Sequence, residues 1–488
     1  MNILFVAAEA APFIKTGGLA DVASSLPKAL NGLGQDCRVV LPLYGQIDVA
    51  YKRDMKKITD FTVTVGWKQE YCGVFMLDYD GARYYFLDNE YYFNRPSIYG
   101  QFDDGERFIF FAKAAVRLPR ILDWPVDVIH ANDWHAGLVP VFLNDFRTGD
   151  DFYRDTRSLY TIHNLKYQGQ FSTELFYWTN LNGAYLSDYD LKFYDTINFM
   201  KGAIVHATKV NTVSETYAQE IRYPFFSEGL ENVINAYAGK LSGILNGIDY
   251  DVWDPQTDTY LKANYDADSV EKRQENKHAL QELAGLPVRD DVPLIAMVTR
   301  LTAMKGLDLV RFILEEFLQE DIQFLVLGTG DATYEEMFRY FAHKYPEKMA
   351  ARLHFSNAES HCVYGGCDLF LMPSMVEPCG LSQMIAMRYG AVPVVREAGG
   401  LRDSVNSYNR IDKTGEGFSF ANINAHDLLF TLKRAIDVYH NVPEDFRMLQ
   451  RNGMLKDLSW DVSSRAYVDL YESLNPYAPK QESHPLTF

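Results

Sequence analysis

The stretch "FVAAEAAPFIKTGGLADVASSLPKAL", residues 5–30, runs an apolar segment of strand length into a Lys-Thr-Gly-Gly turn and then into a helical period. A nucleotide P-loop would place Gly-Lys-Ser/Thr after a distal glycine, whereas here Lys15 precedes Gly17 and Gly18. The order excludes a P-loop and leaves an anion site of another kind. Strand, glycine turn and helix in that sequence are also the first half of a βαβ unit, so the next question is whether the pattern repeats.

It does. NILFVAA, CRVVLPL, VDVIHA, SLYTIH and KVNTVS are buried-strand candidates, and helical segments such as 106–118 and 214–221 lie between them. After about residue 245 the alternation restarts with PLIAMVT, IQFLVLG, RLHFS, DLFLMPS and AVPVVRE, separated by helices such as 306–319 and 426–439. Apolar runs of this kind belong to parallel sheets covered on both faces. The expected architecture is α/β, with two doubly wound Rossmann-like domains facing across a cleft. Residues 1–242 form the first domain and 243–458 the second, and 459–488 are a helix packing back on the first domain followed by a mobile tail, NPYAPKQESHPLTF. The halves echo each other once: Gly17-Gly18-Leu19-Ala20-Asp21 and Gly399-Gly400-Leu401-Arg402-Asp403 both follow a strand and open a helix.

Composition narrows the function. A chain of 488 residues that is 47% hydrophobic is too long for one ordinary core. Its net charge of -18 argues against nucleic acid or an anionic membrane surface as partner. Five cysteines with no CxxC pair fit reduced thiols and a cytoplasmic location. The N-terminal apolar run lacks a basic leading region and carries Glu9 in its middle, unlike a signal peptide, and no uncharged stretch reaches transmembrane length.

Ligands of doubly wound sheets sit beyond the carboxyl ends of the strands. In the second half, Arg300 and Lys305 leave one strand end, and the helix beginning near Gly306 adds its positive end, which makes a cluster of diphosphate size. Another strand runs into Glu377-Pro378-Cys379-Gly380-Leu381-Ser382. There Gly380 permits close backbone approach, Ser382 opens a helix, and Glu377 is placed to bond hydroxyl groups or a cation. In the first half, His130, Asn132, Asp133, His135 and His163 lie at strand ends. His130 and His135 lack the spacing and glutamate of a zinc motif and read as structural, whereas His163 is the better ligand contact. The Asp-x-Asp pairs at 78/80, 188/190, 249/251 and 266/268 read as solvated surface in so acidic a chain. The aromatic run 84–99 reads mostly as core.

Seven fragments in register, KTGGLADV, HANDWHAG, TIHNLKYQG, ILNGID, TRLTAMKGLDL, EPCGLSQ and AGGLRDSV, resemble the bacterial glycogen synthase and plant starch synthase family over about residues 1–475. The resemblance implies a retaining glucosyltransferase of the GT-B fold that passes glucose from ADP-glucose to the non-reducing end of an α-1,4-glucan such as glycogen, with no metal and no other cofactor. It implies that Lys15, Arg300 and Lys305 surround the diphosphate and that Gly18 gives a backbone contact. It places Asp133, His163, Asn246 and Glu377 around the glucose, Asp21 and Tyr99 at nucleotide or sugar, and Phe355 under the base. Cys379, Gly380, Leu381 and Ser382 complete the substrate-binding set, and Glu377, Arg300, Lys305 and His163 are the catalytic group. Asn132, Ser382 and Phe355 stand where relatives often have His, Thr and Tyr, and Met375-Val376 where Arg-Phe is common. Lys15 is expected to meet the nucleotide on closure of the cleft, and the acceptor hydroxyl to attack on the face from which the diphosphate departs. A sugar-binding protein would need no diphosphate cations. An epimerase would turn over without glucan, and a phosphorylase would require pyridoxal phosphate.

Overall fold

The computed structural model describes residues 1–474, so the tail expected to be mobile lies outside the described residues. The chain divides into two units. The first comprises Met1–Val213, Ala218–Ile244 and the chain from Trp460 onward; the second comprises Ser214–Tyr217 and Leu245–Ser459.

The first unit is built from β1 (Asn2–Val6), β2 (Asp36–Pro42), β3 (Lys56–Val65), β4 (Lys68–Tyr79), β5 (Ala82–Asp88), β6 (Val128–Asn132), β7 (Arg157–Ile162), β8 (Gln170–Ser172), β9 (Lys192–Phe193), β10 (Thr196–Asn198), β11 (Lys209–Thr212) and β12 (Leu241–Gly243). Nine of these make one sheet in the order β12-β11-β7-β6-β1-β2-β5-β4-β3, and β8, β10 and β9 make a small antiparallel sheet of their own. The large sheet is parallel from β12 to β5. Its strands are apolar throughout because helices cover both faces; Leu4, Phe5 and Val6 of β1 are fully buried, each contributing about 1.5–3 kcal/mol. β3 and β4 depart from that pattern and extend the sheet as an antiparallel hairpin. Their residues alternate between polar and apolar, as KKITDFTVTV shows, so one face can meet water; only an edge hairpin accommodates this. The reading by buried apolar runs passed over it.

The helix Trp460–Glu472 packs in this unit against the helix Gly18–Gly32. Its Tyr471 hydroxyl meets Nδ1 of the fully buried His130 at 2.7 Å, and Thr161 meets Nε2 at 2.7 Å, which makes His130 a core residue.

The second unit holds β13 (Leu294–Val298), β14 (Gln323–Leu327), β15 (Met349–Arg352), β16 (Leu369–Met372), β17 (Val392–Arg396) and β18 (Phe418–Phe420). All pair in parallel, in the order β15-β14-β13-β16-β17-β18. This is the Rossmann order, and its direction reverses between β13 and β16, where a crevice opens beyond the strand ends. In the first unit the corresponding reversal lies between β1 and β6. Two α/β units of this kind are what the alternation in the sequence predicts.

Candidate active site

In the first unit, β1 ends at Val6 and the chain turns back through Glu9 before Lys15-Thr16-Gly17-Gly18. Glu9 is 4% exposed. Its carboxylate accepts hydrogen bonds from the Thr16 amide at 2.5 Å, the Thr16 hydroxyl at 2.9 Å, the Gly17 amide at 3.3 Å and the Tyr99 hydroxyl at 2.9 Å. Tyr99 thus gives its hydroxyl to Glu9, while its ring stacks on His135 with centroids 4.3 Å apart. Lys15 is half-exposed and pairs with Asp21 at 2.6 Å. Gly17 caps the helix Gly18–Gly32 without any side-chain cap, and its φ of -153° is extended backbone open to any residue. A Cβ on Gly17 or on Gly18 would meet nothing within 4 Å. The turn at the start of this helix is therefore open on the side where side chains at these positions would stand, and the first amides of a helix have no partner within it.

Next to it, at the end of β6, Asp133 adopts φ 54° and ψ 179°, a region costing about 1–3 kcal/mol for a residue with a side chain. Its Oδ1 accepts the amides of His163 at 2.8 Å and Asn164 at 3.4 Å, which tie β6 to the end of β7. Burial pushes the Asp133 carboxyl up to about 7 against the pull of those two amides, and the Glu9 charge adds to the rise. Asn132 donates its amide to the carbonyls of Val6 and His130, so its Oδ1 faces His163 Nε2 at 2.9 Å. That oxygen can only accept, and Nε2 must carry the proton. His163 then offers Nδ1 as an acceptor.

Burial holds the His163 imidazole down to about 3. Because the unfolded chain takes up the proton near pH 6.5, the stability this neutral histidine contributes is complete above that pH and is lost as pH falls toward 3. Between about pH 4 and pH 6, His163→Gln is expected to remove close to one proton from the uptake on unfolding, about 1.4 kcal/mol per pH unit. Urea unfolding at several pH values checks this; equal slopes in both proteins contradict it.

In the second unit, the chain leaving β13 carries Arg300 and Lys305, and the chain leaving β16 carries Ser374 and Glu377. Lys305 Nζ lies 2.6 Å from Glu377 Oε2, and the Ser374 hydroxyl donates to the same oxygen at 2.9 Å. Arg300 is exposed, and its guanidinium has no partner among the described residues. Glycines bring these pieces together. Gly306 has φ 73°, and a Cβ there would lie 2.0 Å from the Pro373 carbonyl oxygen. Gly328 and Gly330 approach the carbonyls of Thr299 and Leu301 as closely, and set the Arg300 strand end against β14. Gly399 and Gly400 do the same to Glu377 and Cys379: a Cβ on either would lie 2.0 Å from a backbone oxygen. Gly380 has φ 71°, and Gln383 fastens the loop by donating to the carbonyls of Cys379 and Gly380 and to the Ser404 hydroxyl. Arg396, on β17, donates to the carbonyls of Ser374 and Met375.

Asn246 is buried, its backbone N–H donates to the Cys379 sulfur, and its side-chain Oδ1 has no partner among the described residues. Burial pushes the Cys379 thiol up to about 12, so it stays protonated. Ser382 starts a helix of only seven residues, with Leu381 at its cap. Phe355 stands 85% exposed after β15, apart from this cluster. Two of the acidic pairs expected on the surface are there: Asp78 and Asp80 pair with Arg83 and Lys28, and Asp268 pairs with Arg451. Among the described residues no three His, Cys, Asp or Glu side chains gather as a metal site. No described helix is long and apolar enough to cross a membrane.

Sequence reasoning missed Glu9 in the cluster of the first unit and Ser374, Gln383 and Arg396 in that of the second. Glu9 had a signal, because an acid inside an apolar run must find donors once buried.

The starch synthase catalytic domain model matches residues 2–236, and the model for glycosyl transferases group 1 matches residues 281–448. The two Rossmann-like units and these matches define a glycosyltransferase of the GT-B class. The chain is 53% identical to the glycogen synthase of Finegoldia magna over 97% of its own length and all of the relative's. It is 48% identical to the glycogen synthase of Geobacillus thermodenitrificans over 100% of this chain and 99% of that one. Among solved structures it superimposes with a TM-score of 0.90 on the catalytic domain of starch synthase IV from Arabidopsis thaliana bound to ADP and acarbose, at 33% identity, covering 97% of this chain and 99% of that one. Sucrose-phosphate synthase from Thermosynechococcus elongatus shares the fold alone, with a TM-score of 0.61 at 17% identity over 98% of this chain and all of that one. The chain belongs to the glycogen and starch synthase family.

Proposed function

We propose that this glycosyltransferase takes glucose from ADP-glucose and adds it to the non-reducing end of an α-1,4-glucan with retention of configuration, without a metal ion, in the cytoplasm. The observation that carries the reading is the set of residues at the β13/β16 reversal: Lys305 paired with Glu377, and Arg300, exposed on the chain leaving β13 and without a partner among the described residues. Breaking the bond from the anomeric carbon to a nucleoside diphosphate leaves negative charge on the phosphate, and fixed cations stabilise that charge as it develops. Lys305 and Arg300 supply it. Glu377, held by Lys305 and Ser374, keeps a second oxygen for glucose hydroxyls, and Asn246 adds its open Oδ1. In the first unit, Lys15 and the amides at Gly18 serve the phosphates, Asp133 and the His163 Nδ1 serve sugar hydroxyls, and Phe355 in the second unit offers a flat face to the base. The bond from the anomeric carbon to the phosphate oxygen breaks and the bond to the acceptor oxygen forms on the same face, the acceptor's proton passing to the departing phosphate. ADP bound in the Arabidopsis relative supports the choice of nucleotide. Five free cysteines fit a reducing compartment.

Initial rates of transfer from a panel of nucleotide sugars to a glycogen primer test the reading, with ADP-glucose expected to be used best. Exhaustive chelation is expected to leave that rate nearly intact. Loss of most activity on chelation, restored by Mg²⁺ or Mn²⁺, would overturn the role given to Lys305 and Arg300.

A further inference from the structure

We infer that Glu9 is a positioning residue that shapes the Lys15–Gly18 turn for transfer. The inference rests on the reading of that turn as a donor-phosphate site. A carboxylate that is 4% exposed needs several donors, and the four that Glu9 receives come from the turn and from Tyr99. Lys15 to Gly18 are four consecutive exposed residues, so apolar packing does not hold them. Lys15, the nearest cation in sequence, is engaged with Asp21. The glutamate thus works through backbone amides.

Two consequences follow from the geometry. The Thr16 and Gly17 amides are committed to Glu9, so the turn meets an anion through Lys15 and the amides from Gly18 onward. The second oxygen of Glu9 also ties the turn to Tyr99, which is stacked on His135 immediately after β6. The strand ends on either side of the β1/β6 reversal are thereby locked in one arrangement. A shift of about an ångström in a positioned group is enough to cost a large factor in rate, which makes the lock kinetic in its effect.

Glu9→Gln replaces one accepting oxygen by an NH₂ that faces donors. Turnover at saturating donor and primer is expected to fall roughly tenfold or more, while ADP affinity by calorimetry changes about threefold or less. Thr16→Val, in an exposed position, removes only the hydroxyl and is expected to slow turnover a few-fold with an unchanged thermal midpoint. The double variant should be no slower than Glu9→Gln alone, because both losses act through one contact. Turnover within twofold of the parent in folded Glu9→Gln overturns the inference, and so do losses that multiply. Should Glu9→Gln not fold, Tyr99→Phe and Thr16→Val replace it: slowed turnover in both supports the inference, and parental turnover in both overturns it. Lys15→Gln is measured alongside. Normal turnover in Lys15→Gln defeats the phosphate-site reading itself, whereas a slow Lys15→Gln with a fast Glu9→Gln defeats only the positioning role.

Discussion

Arg300→Ala is expected to lower kcat/KM by about 10²–10³-fold while leaving the thermal midpoint where it was. The guanidinium is exposed and has no partner among the described residues, so the folded protein loses nothing with it. Lys305→Ala should lose at least as much activity, but with a second signature. Removing Lys305 leaves Glu377, a buried carboxylate, with only the Ser374 hydroxyl on its Oε2. Separating such a pair costs up to about 3–5 kcal/mol when both members are buried, and less here because Lys305 keeps some contact with water. The midpoint of Lys305→Ala should therefore drop. Adding Glu377→Gln should return most of that stability and none of the activity, and Glu377→Gln alone should slow turnover by roughly tenfold or more with little change in ADP affinity. Steady-state kinetics, calorimetry with ADP and thermal unfolding of the four variants make the comparison. A stable Lys305→Ala, or an Arg300→Ala with near-normal kcat/KM, would contradict the roles assigned.

How much of this was legible beforehand differs between the frame and its fastenings. Buried parallel strands announce themselves as apolar runs, so β1, β2, β6, β7, β11, β13, β14, β16 and β17 could be read from the sequence, and with them the positions of Arg300, Lys305, Glu377 and His163 at strand ends; the run 352–356 expected as a strand instead follows β15, which ends at Arg352. The β3–β4 hairpin was harder to see, because half of each strand faces water and its apolar residues come one at a time. The pairing of Glu377 with Lys305 joins residues 72 apart, and no spacing within either segment encodes it. Gln383 and Arg396 act mostly through backbone carbonyls, which every residue has, and Ser374 through a single hydroxyl on Glu377, so none of them leaves a compositional trace. Asn132 is a case in which the residue type mattered: as an asparagine anchored by its own amide it fixes the tautomer of His163.

The repeated Gly-Gly-Leu-x-Asp turn carries the sharpest contrast, and two single substitutions expose it. In Gly400→Ala the new methyl would stand 2.0 Å from the Cys379 carbonyl oxygen and 2.5 Å from that residue's Cα, all of it backbone. The loop carrying Glu377 must shift to make room, at a cost of about 1–3 kcal/mol or more, so both the thermal midpoint and the turnover should fall. In Gly18→Ala the same methyl meets nothing within 4 Å beyond its own turn of helix and its chain neighbours, and alanine is the better helix former by up to about 1 kcal/mol. The midpoint should hold or rise. Yet, on the proposed role of the turn, the methyl would crowd a phosphate approaching the amides at the start of the helix Gly18–Gly32. Loss of a charge-assisted contact is worth about 1.5–3 kcal/mol, which corresponds to a fall in turnover of about ten- to a hundredfold. The second unit needs its glycines to fold against itself, whereas the proposed function asks Gly18 of the first to leave room for the donor phosphate. Primer-dependent turnover and thermal unfolding of the two variants separate these demands. A Gly18→Ala enzyme that works at the parental rate, or one that loses stability as Gly400→Ala does, would remove the phosphate from the Lys15–Gly18 turn.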